Sequence, residues 1–234
     1  MAEEREMTLV EHLQELRDRL VKSAIGMVVA TLLSLLFTSR FLKLLILPAG
    51  GIKPVFLTPT EGFLTYMKVA LLSGVGLAMP VIVYQILRFV TPGLQVNERR
   101  YLFIGLPAAA LSFLAGAAFA YLVMLPAALG YLAHFGSDIA EARWAIGEYI
   151  SFVTTLMFWV GVVFEAPLLM YFLARLHIVN VHMLVSKWQY AVLIIAILAA
   201  VITPTADPFN MMLLMAPLLM LYVISIGVAK LAGG

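Results

Sequence analysis

The chain has 234 residues, of which 63% are hydrophobic and 12% charged, with a formal net charge of +2. So much apolar surface cannot be enclosed in one water-soluble core, which excludes an ordinary soluble domain and leaves an integral membrane protein. Zero cysteines exclude disulfides, thiolate metal sites and cysteine nucleophiles, and the small net charge gives no reason to expect a nucleic-acid partner.

Residues 1–20 are charged but patterned. Leu9, Leu13, Leu16 and Leu20 recur at helical spacing, with Glu11, Glu15 and Asp18 on other faces, which predicts an amphipathic helix on the membrane surface. Thr8 with Glu11 three residues on has the form of a capping box, and Glu15 has Arg19 available at i+4. Six apolar runs follow: Val21–Phe37, Met67–Leu87, Leu102–Met124, Phe152–Leu173, Trp188–Ile202 and Met211–Val228. They predict an all-α, polytopic membrane protein of a single domain, with spans near 21–39, 66–88, 101–124, 150–174, 188–202 and 209–229. The fifth run, at about 1.5 Å per residue, reaches only about 22 Å and is too short to cross a full bilayer alone.

The connections carry their own signals. Pro92-Gly93 predicts a turn between the second and third spans, after which Asn97 is a candidate cap and Glu98 falls in the first helical turn, where the helix dipole favours a carboxylate. Phe89, just before, has the position of an interfacial aromatic. On the other side, Thr58-Pro59-Thr60-Glu61-Gly62-Phe63 and the stretch from Pro126 to Glu148 read as long exposed segments. Thr203-Pro204-Thr205-Ala206-Asp207-Pro208 reads as a tight turn in which Asp207 accepts backbone hydrogen bonds.

Lys and Arg set the orientation. The segments before span one, between two and three, between four and five, and after six hold ten of them, and the opposite segments, with Lys68 at the mouth of span two, hold five. The bias places both termini in the cytoplasm. A cleavable signal peptide is not expected, because the first apolar run leads into further spans without a small-residue cleavage site.

Glu165 is the most conspicuous side chain. It stands among apolar neighbours near the middle of the fourth span, where a charge costs about 2.5–3.5 kcal/mol on lenient insertion scales and usually marks function. No Lys or Arg lies at that depth in another span, so the carboxyl group is expected to be protonated, hydrated in a cavity, or met by a polar group from this chain or a partner helix.

Several spaced motifs then agree. His12-Leu13-x-Glu15-Leu16-Arg17-x-Arg19-Leu20, Thr58-Pro59-x-Glu61-x-Phe63, Pro80-x-x-x-Tyr84-Gln85-x-x-x-Phe89-x-x-Pro92-Gly93-Leu94-x-x-x-Glu98, Phe164-Glu165-x-Pro167 and Thr203-Pro204-x-x-Asp207-Pro208 resemble the TatC family, the receptor subunit of the twin-arginine protein translocase. The resemblance covers nearly the whole chain. It implies a non-enzymatic protein of the bacterial cytoplasmic membrane, without cofactor or bound metal, folded as a concave, glove-shaped bundle. It also implies recognition of twin-arginine signal peptides on folded cargo, export driven by the proton motive force, single-span partners TatA and TatB, contact with lipid, and self-association. By the same resemblance, Glu98, Phe89, Glu15 and Glu11, with Arg17 of the first motif, belong to the cytoplasmic signal-peptide site. Glu165 is the polar residue inside the bundle, and Pro48, Phe63, Tyr121 and Asp207 are linked to transport or partner contact. The chain departs from the pattern at Val223, where an acidic residue is common, and at Met211, near a frequent glutamine.

Two other classes compete. A proton-coupled secondary transporter would also use a carboxylate such as Glu165, although no repeat relates the two halves. An intramembrane protease would need a nucleophile or metal motif that the spans lack.

Overall fold

A computed structural model describes residues 9–90, 99–175, 178–203 and 207–233. The described residues are almost entirely helical: α1 (Leu9–Leu35), α2 (Thr38–Ile46), α3 (Glu61–Val90), α4 (Arg99–Phe119), α5 (Leu125–His134), α6 (Ile146–Val163), α7 (Ala166–Arg175), α8 (Val181–Ser186), α9 (Trp188–Ile202) and α10 (Pro208–Leu231). All six apolar runs form helix, the first ending in a turn at Leu36 and Phe37 and the fourth interrupted at Phe164 and Glu165. Four helical stretches are long and apolar enough to cross a membrane unaided, namely Glu61–Ile86, Pro107–His134, Ile146–Arg175 and Pro208–Leu231, and α1 with α2 qualifies as a bent pair. The sixth, α9, has the expected 15 residues and is the short one.

Three features differ from the sequence reading. The N-terminal helix is present, but it continues through Leu20 into the first apolar run as one 27-residue helix instead of ending as a separate surface element. Its leucine stripe also divides: Leu13 and Leu20 are exposed, while Glu15, Leu16 and Arg19 are turned inward toward α3. In a protein whose outer surface meets lipid, leucine needs no burial against protein. The third difference is at Pro126, which does not start a loop. A π-helical turn, Ala120–Met124, absorbs the hydrogen bond that proline cannot make, and the helix carries on as α5 to His134. The long exposed segment expected from Pro126 to Glu148 therefore shrinks to the stretch between His134 and Ile146.

The first span ends for a local reason. Leu36 and Phe37 donate to Leu33 and Ser34 in tighter turns, and the Thr38 hydroxyl donates to the Ser34 carbonyl at 2.9 Å, after which α2 leaves at 77°. The end of α2 is capped by two distant tyrosines. Tyr121 Oη donates to the Leu44 carbonyl at 2.9 Å, which also accepts from Leu47 N, and Tyr149 Oη donates to the Leu45 carbonyl at 2.8 Å. Gly50 and Gly51 then take positive φ (62° and 95°), which turns the chain back.

The core lies where α5, α6 and α10 meet, with Met124, Leu125, Ile150, Val153 and Leu214 fully buried. On the face where α3 and α6 begin, a short cap is held by backbone. Val55 N donates to Trp144 O and Ile146 N to Val55 O, both at 2.9 Å. The carboxylate of Glu61 accepts from Leu57 N at 2.6 Å, Thr58 N at 3.3 Å and Gly147 N at 2.8 Å, stitching the loop before α3 to the start of α6. Three backbone N–H groups converge on this one charged acceptor, so Glu61→Ala is expected to lower the thermal unfolding midpoint, with Glu61→Gln falling between the two. An unchanged melt for Glu61→Ala in detergent would show that the cap is held elsewhere.

Candidate functional site

The α1–α3 pair builds the first candidate site, at the face where α1 starts and α3 ends. Glu15 Oε1 accepts from Arg19 Nη2 at 3.0 Å, and Arg19 Nη1 donates across the helix pair to Gln85 Oε1 at 3.3 Å. Three and four residues further toward the same face, the rings of His12 and Phe89 stack at 4.4 Å. The first and third sequence motifs thus come together, and of the expected residues Glu15 and Phe89 belong to one cluster. Glu11 is exposed one turn earlier on α1. Arg17 is not part of the cluster: it points outward and pairs with Asp18 at 3.0 Å in an exposed contact of the kind that adds little stability. Glu98, with the Pro92-Gly93 turn, Thr8 and Asn97, lies outside the described residues. His12, Arg19 and Gln85 were not singled out as site residues. Each stands inside a quoted motif, and Arg19 carries a second signal in its i+4 spacing from Glu15.

Glu165 forms the second site. Pro167 has no N–H to donate to the Val163 carbonyl, and the helix breaks at Phe164 and Glu165 between α6 and α7. The carboxyl group is enclosed at that break: Glu165 is only 7% exposed, and its Oε1 has no hydrogen-bond partner among the described residues. Tight packing fixes its neighbour. Phe164 leans on Phe119 at 5.6 Å, and a Cβ at Gly116 would fall 2.7 Å from the Phe164 ring, so α4 and α6 cross closely here. Val163 and Ala166, on either side of the break, line an apolar groove of about 380 Å³ with Leu198, Leu218, Leu221 and Tyr222 of α9 and α10.

The remaining expected residues lie toward the opposite face, and the structure unites only some of them. Pro48 sits half-buried in the 3₁₀ turn Leu47–Ala49, which packs on α5, and Tyr121 caps α2 just before it. Asp207 is the N-cap of α10, accepting from Asn210 N at 2.7 Å and Asn210 Nδ2 at 2.9 Å, which is the turn-forming role its sequence context predicted. Phe63 is 67% exposed on the first turn of α3.

The fold and these sites define an all-α, multi-pass membrane protein with a polar site at one face and a buried carboxyl group within the helical layer. Comparison with known proteins places it further. The family model for the Sec-independent protein translocase protein (TatC) matches residues 11–217. The Sec-independent protein translocase protein TatC of Carboxydothermus hydrogenoformans is 39% identical over 97% of this chain and 95% of its own length. The chloroplastic TATC of Pisum sativum is 36% identical over the whole chain and 67% of its own length. A crystal structure of a twin arginine translocase receptor, TatC, superposes with a TM-score of 0.86 at 34% identity, covering 96% of this chain and all of that one. The chain belongs to the TatC family, and its role is in protein translocation across a membrane. A proton-coupled small-molecule transporter is not favoured by these relatives.

Proposed function

We propose that this protein is the signal-peptide receptor of its translocase, recognising paired arginines on folded cargo at the face built by α1 and the end of α3. In this reading that face is cytoplasmic, both termini lie there, and the membrane is the bacterial cytoplasmic membrane, in accord with the excess of Lys and Arg. The observation that carries the proposal is the Glu15 carboxylate, held at the end of the α1–α3 pair beside the His12–Phe89 stack, with its Oε2 buried and without a partner among the described residues. Carboxylates of this kind pair with guanidinium through two parallel hydrogen bonds, a geometry that ammonium cannot reproduce. Glu98, Glu11 and Arg17 enter the proposal from the family resemblance. The name of the similar solved structure, a twin arginine translocase receptor, supports it.

The second part of the proposal concerns Glu165. A buried carboxyl oxygen without a partner, beside an apolar groove between α7, α9 and α10, suits a single-span partner helix that brings a polar side chain, and TatA and TatB are the partners proposed. Pro48, Tyr121, Phe63 and Asp207 are proposed to act at the opposite face, where they shape or line surfaces for self-association and partner contact. The proton motive force drives the export step.

The receptor part is tested by titrating a labelled Arg-Arg signal peptide into detergent-purified protein. Loss of one charge-assisted pair is worth about 1.5–3 kcal/mol, so Glu15→Ala and Glu98→Ala are each expected to weaken binding by roughly tenfold or more in variants whose thermal melts show that they are folded. Wild-type affinity in both folded variants would contradict the assignment.

A further inference from the structure

We propose that Arg19 is a resident occupant of the arginine site, a built-in competitor that an incoming signal-peptide arginine displaces from Glu15 onto Gln85. The inference rests on the receptor reading above and adds to it an exchange step and a source of selectivity.

An ordinary Glu–Arg pair at i,i+4 lies on a wet helix surface and has little effect. The Glu15–Arg19 pair differs in three respects. Its side chains are only 16% and 21% exposed, against 73% for Arg17 on the same helix. Arg19 also reaches across to α3, where Gln85, itself 9% exposed, accepts from its second terminal nitrogen. Most tellingly, the pairing is incomplete: a single nitrogen meets a single carboxylate oxygen, and both Glu15 Oε2 and Arg19 Nε are buried without partners among the described residues. A bridge serving stability alone is expected to use the bidentate fork, since leaving polar atoms dry and unpaired is costly.

The arrangement does suit exchange. The functional group that occupies Glu15 is the one a twin-arginine peptide carries, and Oε2 stands ready for a second guanidinium. When the peptide's arginine takes both carboxylate oxygens, Arg19 keeps its hydrogen bond to Gln85, so neither partner of the original pair is left buried and alone. Two guanidinium groups cannot share one carboxylate without repulsion, which makes Arg19 a standing opponent of every cationic ligand. A peptide arginine offers a fork that outcompetes the single resident contact. A peptide lysine, a compact point charge, offers no more than what it must displace. Arg19 thereby raises the threshold that lysine fails to pass.

The experiment is anisotropy titration of labelled Arg-Arg and Lys-Lys signal peptides into the purified full chain, with a thermal melt recorded for every variant. Arg19→Gln is expected to bind the Arg-Arg peptide about threefold to tenfold more tightly and to gain still more for Lys-Lys, so that the preference for arginine shrinks. Gln85→Leu, which removes the acceptor that receives the displaced Arg19, is expected to weaken Arg-Arg binding several-fold. A bridge that only holds α1 to α3 would give loss of binding in both. Weakened or unchanged binding in folded Arg19→Gln, or tighter binding in folded Gln85→Leu, overturns the proposal. If Arg19→Gln does not fold, Arg19→Met, which removes the charge and keeps an unbranched stem, takes its place with the same expected direction and the same overturning result. Absence of any preference for Arg-Arg in the unchanged chain removes the receptor reading, and the exchange with it, whereas a preserved preference with the wrong sign in the variants removes the exchange alone.

Discussion

Glu165→Ala is expected to abolish export of a folded reporter carrying an Arg-Arg signal, while the purified variant binds the signal peptide within about twofold of wild type and melts no lower. The direction of the stability effect follows from the carboxyl group's surroundings. A buried polar oxygen without a partner costs about 1–3 kcal/mol through lost hydration, so removing it relieves the fold instead of weakening it. A self-contained core hydrogen bond would behave oppositely and its loss would lower the melt. Retained export, or a melt several degrees lower in Glu165→Ala, would contradict the assignment of this residue to a partner helix. Loss of peptide binding equal to that of Glu15→Ala would contradict the division into two sites.

The second large effect is expected at Gly74. A Cβ built there would clash with Thr31 Oγ1 and lie 2.5 Å from Thr31 Cα and 2.7 Å from Thr31 N, so the backbones of α1 and α3 are in contact at this crossing. Small residues are what permit such approach between membrane helices, where little hydrophobic driving force separates helix from lipid. Gly74→Leu forces the pair apart, and overpacking of this kind typically costs about 1–3 kcal/mol, with backbone contacts at the upper end. Because Arg19, which holds Glu15, meets Gln85 only through this pairing, the variant is expected to lose peptide binding along with thermal stability. Gly76→Ala is the matched control, since its Cβ would meet only Phe113 Cε1 at an ordinary 3.5 Å. Equal melts for Gly74→Leu and wild type would contradict the close crossing.

Much of this architecture was legible in the chain because the bilayer imposes few solutions: long apolar runs must become helices, and the 15 residues of α9 came out short as counted. Boundaries were less legible where a local rule was overridden. Proline at 126 reads as a helix end, yet the π turn before it lets the helix continue, and nothing in hydropathy distinguishes the two outcomes. The leucine stripe of α1 was read with the logic of a helix at a water interface, whereas Leu13 and Leu20 are exposed and the inward face is the polar one. The motifs gave Glu15, Phe89 and Glu165 as residue types in context. They did not give the partners, because Gln85 lies 66 residues from Arg19 and Gly147 lies 86 from Glu61, and only the folded helices bring them within hydrogen-bonding distance.

Position on a helix separates the two arginines of the first motif. Arg17 and Arg19 are two residues apart on one helix and indistinguishable by composition, but a shift of two positions turns a helical side chain to another face. One is solvated beside Asp18 and the other bridges two helices. Asp207, by contrast, behaves as its turn context required, with its carboxylate spent on the first turn of α10.

The most direct test of the receptor assignment is the ratio of affinities of the unchanged, detergent-purified protein for an Arg-Arg signal peptide and for the same peptide with Lys-Lys. A bidentate guanidinium pair differs from an ammonium contact by about 1.4 kcal/mol or more, so the account predicts a preference for arginine of at least tenfold. Equal affinity for the two peptides would contradict it.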